Sequence, residues 1–140
     1  MFKGEYTLSI AGKDPSEKLL KAVGKYENVK IFPNPSESEM NHLIHSAHIN
    51  LLISFQNSGM KLKLLNSLFR GRFCVANKQM VENTGLETLC LIAETPQEIA
   101  AALESLMNVQ FSSARISERA DILTNQFSNV ENARTIIRLL

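Results

Sequence analysis

The sequence predicts an α/β fold, a parallel sheet with helices on both faces followed by two C-terminal helices. Three observations carry this. Short apolar segments of strand type recur at residues 6–10, 29–32, 49–54, 73–76 and 89–93. Helical patterns and turn signals separate them, and such alternation places helices on the faces of a parallel sheet. The run Ile-Asn-Leu-Leu-Ile-Ser at 49–54 is nearly continuous in apolar residues, as in a strand covered on both sides.

Taken in order, Tyr6-Thr-Leu-Ser-Ile10 alternates and closes on a turn through Gly12 and Pro15. A helix starts at Ser16 with Leu19, Leu20 and Val23 as its apolar stripe, and Asn28 precedes the second strand. Ser36 and Glu39 have the spacing of a capping box and open the next helix. After the third strand a polar, glycine-containing turn at 55–59 runs into a helix ending near Gly71. Its expected apolar side is Leu62, Leu65, Leu68 and Phe69, and its polar stripe Lys63, Asn66, Ser67 and Arg70. Thr95 and Glu98 cap a helix carrying Ile99, Leu103 and Leu106. From Ser112 onward the pattern is helical only, at 113–126 and 130–139.

A length of 140 residues with 44% hydrophobic content suits one domain, 1–140, with a real core. The net charge of +1 gives no global signal for nucleic acid or an anionic membrane. No apolar run approaches the roughly 20 residues that span a bilayer, so the expectation is a cytoplasmic protein without a transmembrane segment. Cys74 and Cys90 sit in strand-like segments and read as buried, reduced thiols without catalytic duty. His42, His45 and His48 lack a nearby cysteine or acid to complete a coordination sphere, so no metal is expected. No serine lies in a hydrolase pattern.

Charge is distributed unevenly within this neutral total. From Met40 to Val81 there is no acidic residue, while Lys61, Lys63, Arg70, Arg72 and Lys78 all fall there, leaving 10 basic and 14 acidic residues elsewhere. Two lysines therefore coincide with the start of a helix that follows a buried strand. Free N–H groups and the positive dipole end make that place suited to an anion, most simply a phosphate. In an open parallel sheet it is also the end of the strands at which ligands bind.

The order of strand, polar loop, Gly59-Met60-Lys61-x-Lys63-x-x-Asn66, then Gly71-x-Phe-Cys-Val-Ala and Thr84-Gly85-Leu86, resembles the C-terminal domain of group 1 (family 4) GT-B glycosyltransferases. Leu8-Ser-Ile-Ala-Gly12, residues 28–32, and Glu39-Met40 with Ala47 agree with its earlier segments, so the resemblance covers about 6–107. It implies a Rossmann-like domain that binds a UDP- or GDP-sugar donor, with no cofactor, and a separate N-terminal acceptor domain absent from this chain. It implies a hexosyl-type transferase whose isolated donor half binds without transferring.

Donor contacts are expected at Gly12, Lys13, Ser58, Gly59, Met60, Lys61, Lys63, Asn66, Glu82, Asn83 and Thr84. No catalytic residue is assigned. Asn66 stands where the family pattern has a ribose-binding glutamate, and 56–58 lacks the acid many relatives carry near the transferred sugar. The alternative reading is a non-catalytic Rossmann-like interaction or scaffold domain, a degenerate transferase.

Overall fold

The computed structural model describes residues 6–55 and 61–139. The chain divides into two compact units, 1–47 and 48–140.

In the first unit, β1 (Leu8–Gly12) and β2 (Val29–Pro33) pair in parallel, Leu8 opposite Val29 through Gly12 opposite Pro33. The crossover helix α1 (Glu17–Val23) starts as expected on Ser16, whose hydroxyl accepts from the Leu19 N–H. Helix α2 (Glu37–Ser46) begins in the expected capping box. The Ser36 hydroxyl accepts from Glu39 N–H at 3.3 Å, and the Glu39 carboxylate accepts from Ser36 N–H at 2.7 Å.

In the second unit, β3 (Ile49–Leu52), β4 (Phe73–Ala76) and β5 (Leu91–Ile92) form a parallel sheet in that order. Helix α3 (Leu62–Arg70) connects β3 to β4, and the short α4 (Lys78–Val81) with a 3-10 turn at Glu87–Leu89 connects β4 to β5. Helices α5 (Pro96–Met107), α6 (Ser113–Phe127) and α7 (Asn129–Arg138) follow. Strand β4 is buried throughout and divides the core between its faces. Cys74 and Ala76 point into a cluster with Leu64 and Leu68 of α3, Met80 and Val81 of α4, Leu86, and Leu123 of α6. Val75 points the other way, to Ala93, Ala102, Ile99 and Leu103. Helices thus cover both faces, and the fold is Rossmann-like α/β.

Several expectations need correction. The five strands lie in two sheets of two and three strands, not in one, because the ladder bonds of β1 go to β2. Strand β3 stops at Leu52, and although its two faces pack on opposite clusters through Leu52 and Ile49, Leu51 is exposed. The last strand is only Leu91–Ile92, since Leu89 closes a 3-10 turn. On α3 the buried residues are Leu64, Ser67 and Leu68, whereas Leu62 and Phe69 are exposed. The 64, 67, 68 spacing follows the helical repeat, and the small Ser67 side chain lies at the packed face.

The end of α3 has its own fixture. Gly71 carries the helix stop because a Cβ there would lie 2.4 Å from Asn50 Nδ2 and 2.8 Å from the Ser67 carbonyl oxygen. Arg119 of α6 donates to the carbonyls of Gly71 and Arg72, both at 2.7 Å. A guanidinium at the negative end of a helix is also electrostatically favourable. In the same unit His48 is bound to the Leu106 carbonyl through Nε2 at 2.9 Å, its ring edge-on to Phe73. No helix among the described residues is long and apolar enough to cross a membrane.

The capping carboxylates predict an acid response. The Ser36 hydroxyl, then its N–H, hold Glu39 below the usual carboxylate range, and the N–H groups of Glu94 and Thr95 do the same for Glu98. Groups with a depressed folded pKa stabilise above the unfolded pKa of about 4.3 and lose that contribution as pH falls through the folded value. Urea melts between about pH 2 and 6 should show stability falling with acid, and Glu98→Gln should flatten part of that slope. An unchanged slope would count against the caps.

Candidate functional site

The candidate site lies at the carboxyl ends of β3 and β4, beside the start of α3. Lys61 is the residue preceding α3, at φ −82° and ψ 55°, and no side chain among the described residues caps this helix. Its first turn contains no acid. Helices α1, α2, α5, α6 and α7 each begin on a serine or threonine whose hydroxyl accepts a backbone N–H. The start of α3 thus carries lysines where these five helices carry a capping hydroxyl.

The two lysines differ. Lys63 Nζ donates to the Ile53 carbonyl at 2.7 Å, which ties the start of α3 to the exit of β3. Burial, then the neighbouring Lys61 charge, push the Lys63 pKa down. An anion beside two lysines of like charge would relieve that repulsion. Asn66, one turn further along, is exposed.

Asn77, immediately after β4, is the polar residue that sequence reasoning missed. It is 7% exposed, and its amide grips Ser54 on both sides. Oδ1 accepts from Ser54 N–H at 2.9 Å, and Nδ2 donates to the Ser54 carbonyl at 2.7 Å and to Gln79 Oε1 at 2.8 Å. The side chain thus acts as an extra rung between β3 and β4, adjacent to the carbonyl that holds Lys63. The one signal in the sequence is an asparagine directly after four buried strand residues, where an unpaired amide would be costly. Beside it, the Glu94 carboxylate accepts the Lys78 N–H at the start of α4.

Removing this clamp should be felt. Asn77→Ala removes both bonds to the half-buried Ser54 backbone, and lost hydrogen bonds of this kind contribute about 0.5–1.5 kcal/mol each. Urea denaturation should show that loss, and hydrogen exchange at the Ser54 amide should accelerate. Unchanged exchange there would refute the assigned role.

The other expected positions are more scattered. Ser58, Gly59 and Met60 lie outside the described residues. Glu82 and Asn83 are exposed in the turn after α4, Asn83 at a left-handed φ of 61°. The Thr84 hydroxyl donates to the Val81 carbonyl at 2.6 Å and accepts from Leu86 N–H at 3.2 Å, so it closes that turn. Gly12 and Lys13 belong to the first unit. There they line an open groove of about 420 Å³ with Asp14, Asn34, Pro35 and Met40 at the carboxyl ends of β1 and β2. Asp14 and Asn34 both take left-handed backbone, φ 47° and 50°, and the Asp14 N–H donates to Asn34 Oδ1 at 2.8 Å. A Cβ on Gly12 would meet nothing within 4 Å, so no packing inside the chain requires glycine there.

A family model described as glycosyl transferases group 1 matches residues 2–109. The chain belongs to this family. The match runs from β1 through α5 of the group 1 transferase, and α6 and α7 lie beyond it. Searches of curated proteins and of solved structures returned no significant match. A glycosyl transfer role, and with it a sugar donor and an acceptor, follows from the family.

Proposed function

We propose that this chain is the donor-binding half of a group 1 glycosyltransferase and takes a nucleoside diphosphate sugar, UDP- or GDP-linked, at the start of α3. The observation that carries this reading is the start of α3, which no side chain among the described residues caps, with Lys61 before it, Lys63 in its first turn and no acid there. Family membership supplies the reaction class. Lys61 and the first α3 N–H groups bind the diphosphate, while Lys63, anchored on the Ile53 carbonyl, fixes the helix start and adds charge. Asn66 on the exposed face of α3 is the candidate ribose contact, with Glu82, Asn83 and Thr84 in the turn after α4 as further candidates. In the first unit, Gly12 carries no side chain at the carboxyl end of β1, and Lys13 beside it offers a cation of its own.

The chemistry is electrostatic. As the bond between the sugar and the diphosphate breaks, negative charge grows on the departing phosphate. Fixed cations and N–H dipoles favour that state more than the intact donor, which lowers the barrier. The acceptor is bound by a separate N-terminal domain, so the isolated chain binds donor without transferring sugar.

Calorimetric titration with UDP and with GDP tests this. Binding of one of them at up to millimolar concentration is expected. Absence of binding by both would leave the scaffold reading in first place, which Asn66 in place of a carboxylate would then fit.

A further inference from the structure

Away from the candidate site, two nucleophilic side chains lie next to each other. Cys74 is the second residue of β4 and is 3% exposed. Cys90 precedes β5 with extended backbone, φ −124° and ψ 148°. The ladder pairs Val75 with Leu91 and Ala76 with Ile92, so the preceding position in the same register brings Cys74 opposite Cys90. Neighbouring strands stand about 4.7–4.9 Å apart, within the Cα separation of about 4.4–6.8 Å that a disulfide spans. Residues at one register level project to the same face, and both cysteines pack in the cluster of Leu64 and Leu68. Both are free thiols.

Their surroundings differ. Cys90 is only half-buried, which corrects the expectation of two fully buried thiols. The hydrogen bond from Cys74 pushes its pKa down, and the charge of Arg119 acts in the same direction against burial and Glu87. The Cys74 thiol is pushed far up, by its contact with Cys90 and then by burial. Arg119 is held in place by the Gly71 and Arg72 carbonyls. A half-buried cysteine with a second thiol opposite it across the strand pair has the surroundings of a reactive thiol with its resolving partner.

We propose that Cys74 and Cys90 form a reversible redox pair, with Cys90 as the thiol attacked by a hydroperoxide and Cys74 as the resolving thiol. The Cys90 thiolate attacks the peroxide, the O–O bond breaks, and Cys90 becomes a sulfenic acid as an alkoxide or hydroxide departs and takes up a proton. The Cys74 sulfur then displaces the hydroxyl from Cys90, its proton leaving with that hydroxyl as water. The products are one disulfide, one water and one alcohol or water. Two electrons pass from the thiols to the peroxide. A small thiol reverses the reaction by exchange.

Hydrogen peroxide treatment of the reduced full chain at neutral pH, alkylation of the remaining thiols and digestion without reductant provide the test. Intact mass should fall by two hydrogen atoms, the peptide containing Cys74 should be joined to that containing Cys90 within one chain, and dithiothreitol should restore both. Cys90→Ser should leave Cys74 reduced, and Cys74→Ser should leave a Cys90 sulfenic acid that dimedone traps. Both thiols remaining alkylatable after peroxide, Cys90 advancing to sulfinic acid with Cys74 unlinked, or links only between chains would each overturn the proposal. Every readout is independent of nucleotide binding, so the transferase reading stands or falls separately.

Discussion

Phe73→Ala is expected to destabilise the second unit by about 3–5 kcal/mol, the usual cost of deleting a buried phenyl ring. Phe73 is 6% exposed at the start of β4. Its ring meets Phe111 edge-on at 5.0 Å and 85°, and His48 at 5.3 Å and 65°. The Arg115 guanidinium lies 5.6 Å over it. The ring therefore joins the β4 start to the segment between α5 and α6 and to the residue preceding β3, and no neighbour can fill its volume without leaving another partner. Domains hold only about 5–15 kcal/mol in total, so this loss takes much of the stability. Urea denaturation of the chain measures it, with Phe73→Leu as the volume-conserving control expected to lose less than about 1.5 kcal/mol. A loss for the alanine variant below about 1 kcal/mol would mean that the ring stack contributes little beyond filling space.

Lys61→Ala should weaken binding of UDP or GDP roughly ten- to hundredfold while leaving the melting curve unchanged. Charge-assisted contacts contribute about 1.5–3 kcal/mol each, and every 1.4 kcal/mol is tenfold. Lys61 precedes α3 and lies outside the apolar clusters, so its removal creates no core cavity. Lys63→Ala should behave differently, because its ammonium also holds the Ile53 carbonyl at 2.7 Å and its loss loosens the start of α3 as well as removing charge. Calorimetry with both variants separates the roles. Equal affinity for wild type and Lys61→Ala would remove the phosphate assignment even if nucleotide binds.

What the sequence determined by itself was the part set by short-range rules. The order of strands and helices, the helix start at Ser16 and the caps at Ser36 and Thr95 depend on residues within about four positions of one another. The acid-free centre and the coincidence of Lys61 and Lys63 with a helix start were equally legible, since charge and the helical repeat are linear properties.

The tertiary structure alone decided whatever depends on partners far along the chain. The face of α3 that packs, with Ser67 inside and Leu62 and Phe69 outside, follows from how α3 seats against β4 and α6, which its own mixed pattern of leucines leaves open. The grip of Asn77 on Ser54 spans 23 positions, and the Arg119 bond to Gly71 spans 48. The meeting of Cys74 with Cys90 requires the register of β4 on β5. Register is fixed when many side chains bury together, because a slip of one residue would turn every side chain of a strand to the wrong face. Local pattern therefore placed the cations, and packing decided that Lys63 is anchored, that Asn77 clamps the strand ends beside it, and that the two thiols stand opposite each other.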